Sequence, residues 1–169
     1  PEHPEQSINK AQDILSNFQR RFESYRAIYF CKKIGFTNPN PIAQQLVNDL
    51  LHLMESCQLD FTQTFRSFID EDAHHPALRD WLSRWKQSLK DQQIDVERAQ
   101  ELMRQCNPVI VPRNYVLVKA IEEAEAGDTT HLRRLLNGLN EPYSEYNKHH
   151  PWAQPKPIDV PRTTTYCGT

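Results

Sequence analysis

Between residues 5 and 33, Ile8, Ala11, Ile14-Leu15, Phe18, Phe22, Tyr25 and Tyr29 recur every three to four positions. That period predicts one long amphipathic helix with an aromatic end. Gly35 follows as a C-cap, and Asn38-Pro39-Asn40-Pro41 predicts a turn into a second helix over residues 41–56. Ile42, Leu46, Val47, Leu50, Leu51 and Met54 form its stripe, and Pro41 suits the first turn because its missing N–H would be unpaired there anyway. Asp60 is the expected N-cap of a third, shorter helix with Phe61, Phe65 and Phe68 facing inward, and His74-His75-Pro76 breaks it. Helices are expected again over residues 78–89, carrying Trp81, Leu82, Trp85 and Leu89, and over 96–104, with Ala99, Leu102 and Met103 apolar.

The pattern then changes. In residues 106–112 two prolines flank Val109-Ile110-Val111, which predicts an extended connector. A helix resumes at Arg113 through Val116, Ala120, Ile121 and Ala124 and ends at Gly127. Asp128 caps a partner helix whose Leu132, Leu135 and Leu136 face back and which Gly138 closes, so the two form an αα-hairpin. Residues 141–169 differ in kind, with five prolines, little aliphatic periodicity, and Tyr143, Tyr146, Trp152 and Tyr166. Proline at this density favours extended, polyproline-like chain. At about 3.3 Å per residue the segment reaches roughly 95 Å at most, and its aromatic content predicts that it lies across a surface. The expected architecture is all-α: a multi-helix domain over residues 1–140 and an extended proline-rich tail over 141–169.

Composition narrows the possible functions. Only 38% of the 169 residues are hydrophobic, below the roughly 45–50% of an average domain. Either much of the surface is solvated helix or part of the burial comes from a partner. A net charge of −2, with the basic pairs dispersed, points to neither a nucleic-acid nor a membrane partner. No apolar run approaches the roughly 20 residues that cross a bilayer. The chain opens on Pro1, as a processed or cut-down chain would. With four glycines it holds no nucleotide-cradling glycine motif. His74-His75 and His149-His150 are adjacent pairs, and adjacent residues on a helix do not point at one metal, so no metal site is expected. No nucleophile elbow is present, and Glu122, Glu123 and Glu125 read as a solvated face, so no catalytic residue is expected. Cys31, Cys57 and Cys106 read as packing residues in a reducing compartment. Cys167, third from the end, has no packing role: it is either an incidental surface thiol or a redox residue.

Several runs, in order, match one family. Residues 103–115, Met-Arg-Gln-Cys-Asn-Pro-Val-Ile-Val-Pro-Arg-Asn-Tyr, are followed by Ala120-Ile121-Glu122, Ala124-Glu125-Ala126-Gly127-Asp128, Leu135-Leu136 and Glu141-Pro142-Tyr143. Upstream stand Lys33-Ile34-Gly35-Phe36, Asp49-Leu50-Leu51 and residues 60–66. Together they resemble the C-terminal region of the selenoprotein O (YdiU) family. Val111-Pro112 departs from the pattern, where many members have an aliphatic residue before Arg-Asn, and should affect local backbone only. The family is similar to protein kinases in fold, and its members are protein adenylyltransferases that bind ATP with Mg²⁺ and move AMP onto Ser, Thr or Tyr hydroxyls of other proteins. The resemblance places the nucleotide-binding and metal-binding residues N-terminal to this region, so none falls on this chain.

What the resemblance implies here is a non-catalytic helical part that supports or redox-regulates a catalytic domain in the same polypeptide. That domain and the parent's protein substrates are the expected partners. It implies a cytoplasmic protein in a bacterium, or a mitochondrial one in a eukaryote. It makes Asn107, Pro108, Arg113, Asn114, Gly127 and Asp128 structural motif residues. Arg113 and Asn114 are expected to serve backbone groups at a helix start. Cys167 stands where the family carries selenocysteine or cysteine, which implies a redox residue able to pair with a cysteine elsewhere in the full protein. The competing expectation is a stand-alone helical interaction module whose tail is a ligand for some partner.

Overall fold

The computed structural model describes residues 4–70, 74–157, 159 and 160. Among them the chain forms seven α-helices and no strand: α1 (Pro4–Lys33), α2 (Pro41–Ser56), α3 (Phe61–Asp70), α4 (Arg79–Asp91), α5 (Val96–Cys106), α6 (Asn114–Glu125) and α7 (Thr130–Asn140). Local chemistry explains most boundaries. The Asn40 carboxamide accepts from the Ala43 amide at 2.9 Å and Pro41 follows at the first position of α2. Asp60 accepts from the Gln63 amide at 2.9 Å and Asp95 from that of Arg98 at 3.4 Å, opening α3 and α5. Gly35 and Gly127 both take positive φ, +86° and +95°, where α1 and α6 end.

The main core lies where the C-terminal end of α1 meets α2–α5. Ile34 and Phe36, just past α1, are buried with Leu50 of α2, Phe65 and Phe68 of α3, Trp81, Trp85 and Leu89 of α4, and Met103 of α5. Aromatic rings run through it: Phe30 meets Phe65 at 6.2 Å between centroids, Phe65 meets Phe68 at 6.4 Å, and Phe68 stacks on Trp81 at 4.9 Å. Each indole N–H finds a carbonyl, Trp81 donating to Leu46 and Trp85 to Ile34, both at 2.8 Å. Phe61, expected to face inward, is 46% exposed and instead packs edge-on against Phe30.

Beside the α6–α7 hairpin, Val109 and Ile110 of the connector and Ala153 of the proline-rich segment form a second, smaller cluster against Leu139 of α7. Two expectations for the hairpin are corrected. Gly138 does not close α7, which runs on to Asn140; the missing Cβ lets Ile110 approach, because a Cβ there would stand 3.1 Å from Ile110 Cδ1. Leu136 does not face back but is about half exposed. Asp128 does serve the start of α7, accepting from the Thr130 amide at 2.9 Å.

The described part of the proline-rich segment holds two short 3-10 turns, Glu145–Asn147 and Pro151–Ala153. It lies across α3 and the 106–112 connector: the Pro142 carbonyl accepts from Val109 and Ile110 at 2.7 and 3.2 Å, and Gln63 donates to the Ala153 carbonyl. The two His-His-Pro runs share one local role. His75 and His150 each turn a ring nitrogen to the amide two residues on, at 3.3 Å, and the following proline opens a 3-10 turn.

Candidate functional site: a polar clamp and a projecting helix

Two features stand out, and both begin on α1. Lys33, its last residue, is the hub of a clamp. Its ammonium donates to the Cys106 carbonyl at 2.9 Å and to Asn107 Oδ1 at 3.1 Å, and lies 5.8 and 5.4 Å from the ring centroids of Phe61 and Phe65. Burial pushes the Lys33 pKa down, and the nearby Cys106 offsets this in part. Asn107, 1% exposed, completes the exchange by donating from Nδ2 to the Lys33 carbonyl at 3.0 Å. Buried Arg66 reaches the Asn107 carbonyl at 3.5 Å and grips Glu145 through both terminal nitrogens, at 3.0 and 2.7 Å. One connected set of polar groups therefore ties α1, α3, α5 and the proline-rich segment together.

A second ion pair stands beside it. Arg113 holds Asp60 through two hydrogen bonds of 2.7 and 3.0 Å. Its guanidinium thus goes to the carboxylate that caps α3, not to backbone groups of its own helix, which starts with no side-chain cap. Burial raises the Asp60 pKa, but the Arg113 hydrogen bond and the Gln63 amide outweigh it, so the carboxyl stands below its ordinary value. A carboxyl depressed in the folded state gives stability that is complete above the ordinary carboxylate range of about 4 and disappears as the pH falls through the folded value. Urea titrations from pH 6 downward are expected to show this acid loss, and Asp60→Asn to lack that share of it.

The motif residues fall into two groups. Asn107 and Pro108 sit at the clamp, and Arg113 is at its neighbouring pair; Asn114, exposed, is the first residue of α6, and exposed Gly127 and Asp128 form the hairpin turn. Lys33, Arg66 and Glu145 were not among the candidates. The signal that could have pointed to Arg66 is an arginine set between Phe65 and Phe68, where a purely apolar face would exclude it. Replacing Asn107 with Ala is expected to cost about 2 kcal/mol, because it removes the donor to the Lys33 carbonyl and leaves the half-buried Lys33 ammonium with the Cys106 carbonyl but not the Asn107 acceptor. Asn107→Asp, which keeps an acceptor but loses the donor, should recover part of that in the same denaturation assay.

Among the described residues no group of three or more His, Cys, Asp or Glu side chains is placed to hold a metal ion. The most buried cations, Lys33, Arg66 and Arg113, which could otherwise meet a phosphate, are engaged with Asn107, Glu145 and Asp60. Cys31, Cys57 and Cys106 are free thiols; burial raises the pKa of Cys31, and of Cys106 despite Lys32 and Lys33. Cys31 is fully buried, whereas Cys57 and Cys106 are partly exposed. Cys167 lies outside the described residues.

The other feature is the rest of α1. Residues 7–26 are exposed on every side, so the helix leaves the body as an arm. Ile8, Leu15, Phe18, Phe22 and Tyr25 are each more than half exposed on it, and Phe18 stacks on Phe22 at 6.4 Å. An isolated helical stretch of this length is marginal in water, and an apolar face of this extent left in water marks an interaction surface. Among the described residues no helix is long and apolar enough to cross a membrane.

The family model for protein adenylyltransferase SelO matches residues 6–140, taking in the arm and, of the clamp, Lys33, Arg66, Cys106 and Asn107. Similar proteins include the protein nucleotidyltransferase YdiU of Anoxybacillus flavithermus, 38% identical over 98% of this chain and 35% of the relative. The proteins of the same name from Bacillus cereus and Geobacillus kaustophilus are 32% identical, each over 99% of this chain and 36% of the relative. The chain spans about a third of the length of the curated relatives it matches. With most of its length matched by that model, from the exposed arm through the Lys33–Asn107 clamp to the end of α7, the chain belongs to the protein adenylyltransferase SelO family.

Proposed function

We propose that this chain is the C-terminal helical part of a SelO-family protein adenylyltransferase, non-catalytic by itself, which braces and redox-regulates a catalytic part of the same polypeptide. In that polypeptide ATP and Mg²⁺ would be bound outside this region, and AMP would pass to Ser, Thr or Tyr hydroxyls of protein substrates. The observation that carries the reading is the arm of α1: twenty consecutive exposed residues with a full apolar face, rooted in a well-packed core. A part that braces another needs such a surface, and a self-sufficient enzyme does not. The low apolar share of the chain, 38%, is in keeping with burial completed elsewhere.

The test is direct. Incubated with labelled ATP and Mg²⁺, the excised chain is expected to transfer no AMP to itself or to acceptor proteins, whereas the full polypeptide does. Transfer by the excised chain would overturn the reading. For redox control, mild oxidation of the full polypeptide is expected to form a disulfide, visible as a mobility shift on non-reducing gels and accompanied by a change in activity. Cys167→Ser should abolish both. An unchanged shift in that variant would return Cys167 to an incidental thiol.

A further inference from the structure

The spacing of the apolar residues on the arm is tighter than a general amphipathic pattern requires. Ile8, Leu15, Phe22 and Tyr29 fall seven apart, and Ala11, Phe18 and Tyr25 fall three residues after the first three of these. These are the a and d positions of an unbroken heptad repeat, the sequence of a helix that packs against another helix along a narrow seam. From Ile8 to Tyr29 the seam is about 32 Å long at 1.5 Å per residue. The large residues on it are all at least half exposed, so the seam is uncovered.

The flanks of the seam say what kind of helix fits. Its e positions are Gln12, Gln19 and Arg26, and its g positions Ser7, Ile14, Arg21 and Ile28. The charges there are Arg21 on one side and Arg26 on the other, with no acid to balance them. A second copy in parallel would bring Arg21 of each chain against Arg26 of its partner, five residues on, and so repel itself twice. A helix with acidic residues beside its own apolar seam pairs with both. About two-thirds of the length of the curated relatives lies outside this chain, which is ample to supply it.

We infer that the heptad face of α1 docks, as a two-helix coiled-coil pair, on an acid-flanked helix in the part of the same polypeptide that these 169 residues do not include. This rests on the proposed function and names the contact through which the brace would act. The aromatic knobs Phe18 and Phe22 ask for roomy holes, so small side chains are expected opposite them.

The experiment places the photo-crosslinking residue p-benzoylphenylalanine at position 18 or 22 of the full polypeptide, irradiates it, and maps the joined peptides by mass spectrometry. The expected result is a crosslink within one molecule, to a segment outside these 169 residues whose apolar positions follow the same three-four spacing with Asp or Glu beside them. The double variant R21E/R26E should lose most of that crosslink while the helical circular dichroism of the polypeptide is unchanged. Crosslinks to a second copy, crosslinks back into these 169 residues, or none at all overturn the inference, as does a yield indifferent to R21E/R26E. AMP transfer is read on the same preparations. A docked arm on a polypeptide that moves no AMP sinks the activity reading alone, and an active polypeptide with an undocked arm sinks the docking alone.

Discussion

Replacing Trp85 with Ala is expected to lower the unfolding free energy by about 4 kcal/mol, the largest effect of any single change in the chain. The side chain is 2% exposed, lies 6.0 Å from Phe68 and 6.1 Å from Trp81 between ring centroids, and donates its indole N–H to the carbonyl of Ile34. Two losses follow from the substitution. A cavity opens among rings that cannot collapse into it, and the carbonyl of a fully buried residue loses its donor. Trp85→Phe separates the two, because it keeps most of the packing and removes the hydrogen bond; it should cost about 1–3 kcal/mol. Urea denaturation followed by circular dichroism measures both. A Trp85→Phe protein as stable as the parent would show that the Ile34 carbonyl is content without the indole.

Gly35→Ala is the second large effect, about 3 kcal/mol, and Gly127→Ala is its control. Both glycines stand at positive φ after a helix, so an alanine strains the backbone at either. Their surroundings differ. A Cβ on Gly35 would stand 2.6 Å from the Ala99 Cβ and 2.9 Å from the Met103 Cε, whereas at Gly127 nothing lies within 4 Å. Gly127→Ala should therefore cost the conformational strain alone, about 1 kcal/mol. The difference between the two denaturation midpoints isolates the contribution of close packing between the end of α1 and α5. Equal losses would mean that α5 shifts to make room.

Helix positions were legible wherever the cause is local. Pro41 and the Asn40 cap set the start of α2, and its predicted span of 41–56 is the observed one. Asp60 before a phenylalanine stripe marks α3, and the glycines after α1 and α6 mark reversals. Local rules failed where a distant residue decides. Gly138 reads as a helix end, yet α7 passes through it because Ile110 occupies the space of the absent side chain. In the last segment, which proline density reads as extended chain, His150 caps a 3-10 turn that Pro151 opens. The clamp was the least legible part. Lys33 and Asn107 are 74 residues apart, and Arg66 and Glu145 are 79 apart, so no spacing rule joins them. The family resemblance singled out Asn107 and Arg113, and only the fold supplied their partners Lys33 and Asp60.

The heptad on the arm shows the reverse case. Its period is plain in the sequence and predicts the helix, but periodicity alone does not say whether a stripe meets its own domain or something else. The burial of Cys31, Ile34 and Phe36 at one end, against the exposure of residues 7–26, decides it.

Because α1, among the described residues, is held at one end only, it works mechanically as a lever. About 30 Å separates its free turns from the Lys33–Asn107 pair at its root, at 1.5 Å per residue over some twenty residues. A tilt of about 5° at that root moves the far turns by roughly 2.6 Å, around half the spacing of successive helical turns. Small changes at the clamp are thereby magnified into misalignment at the tip. Substitutions at Asn107, which contributes nothing to the seam, should disturb whatever grips the arm more than their cost in stability suggests, and compensating changes for them should arise at positions remote from the clamp.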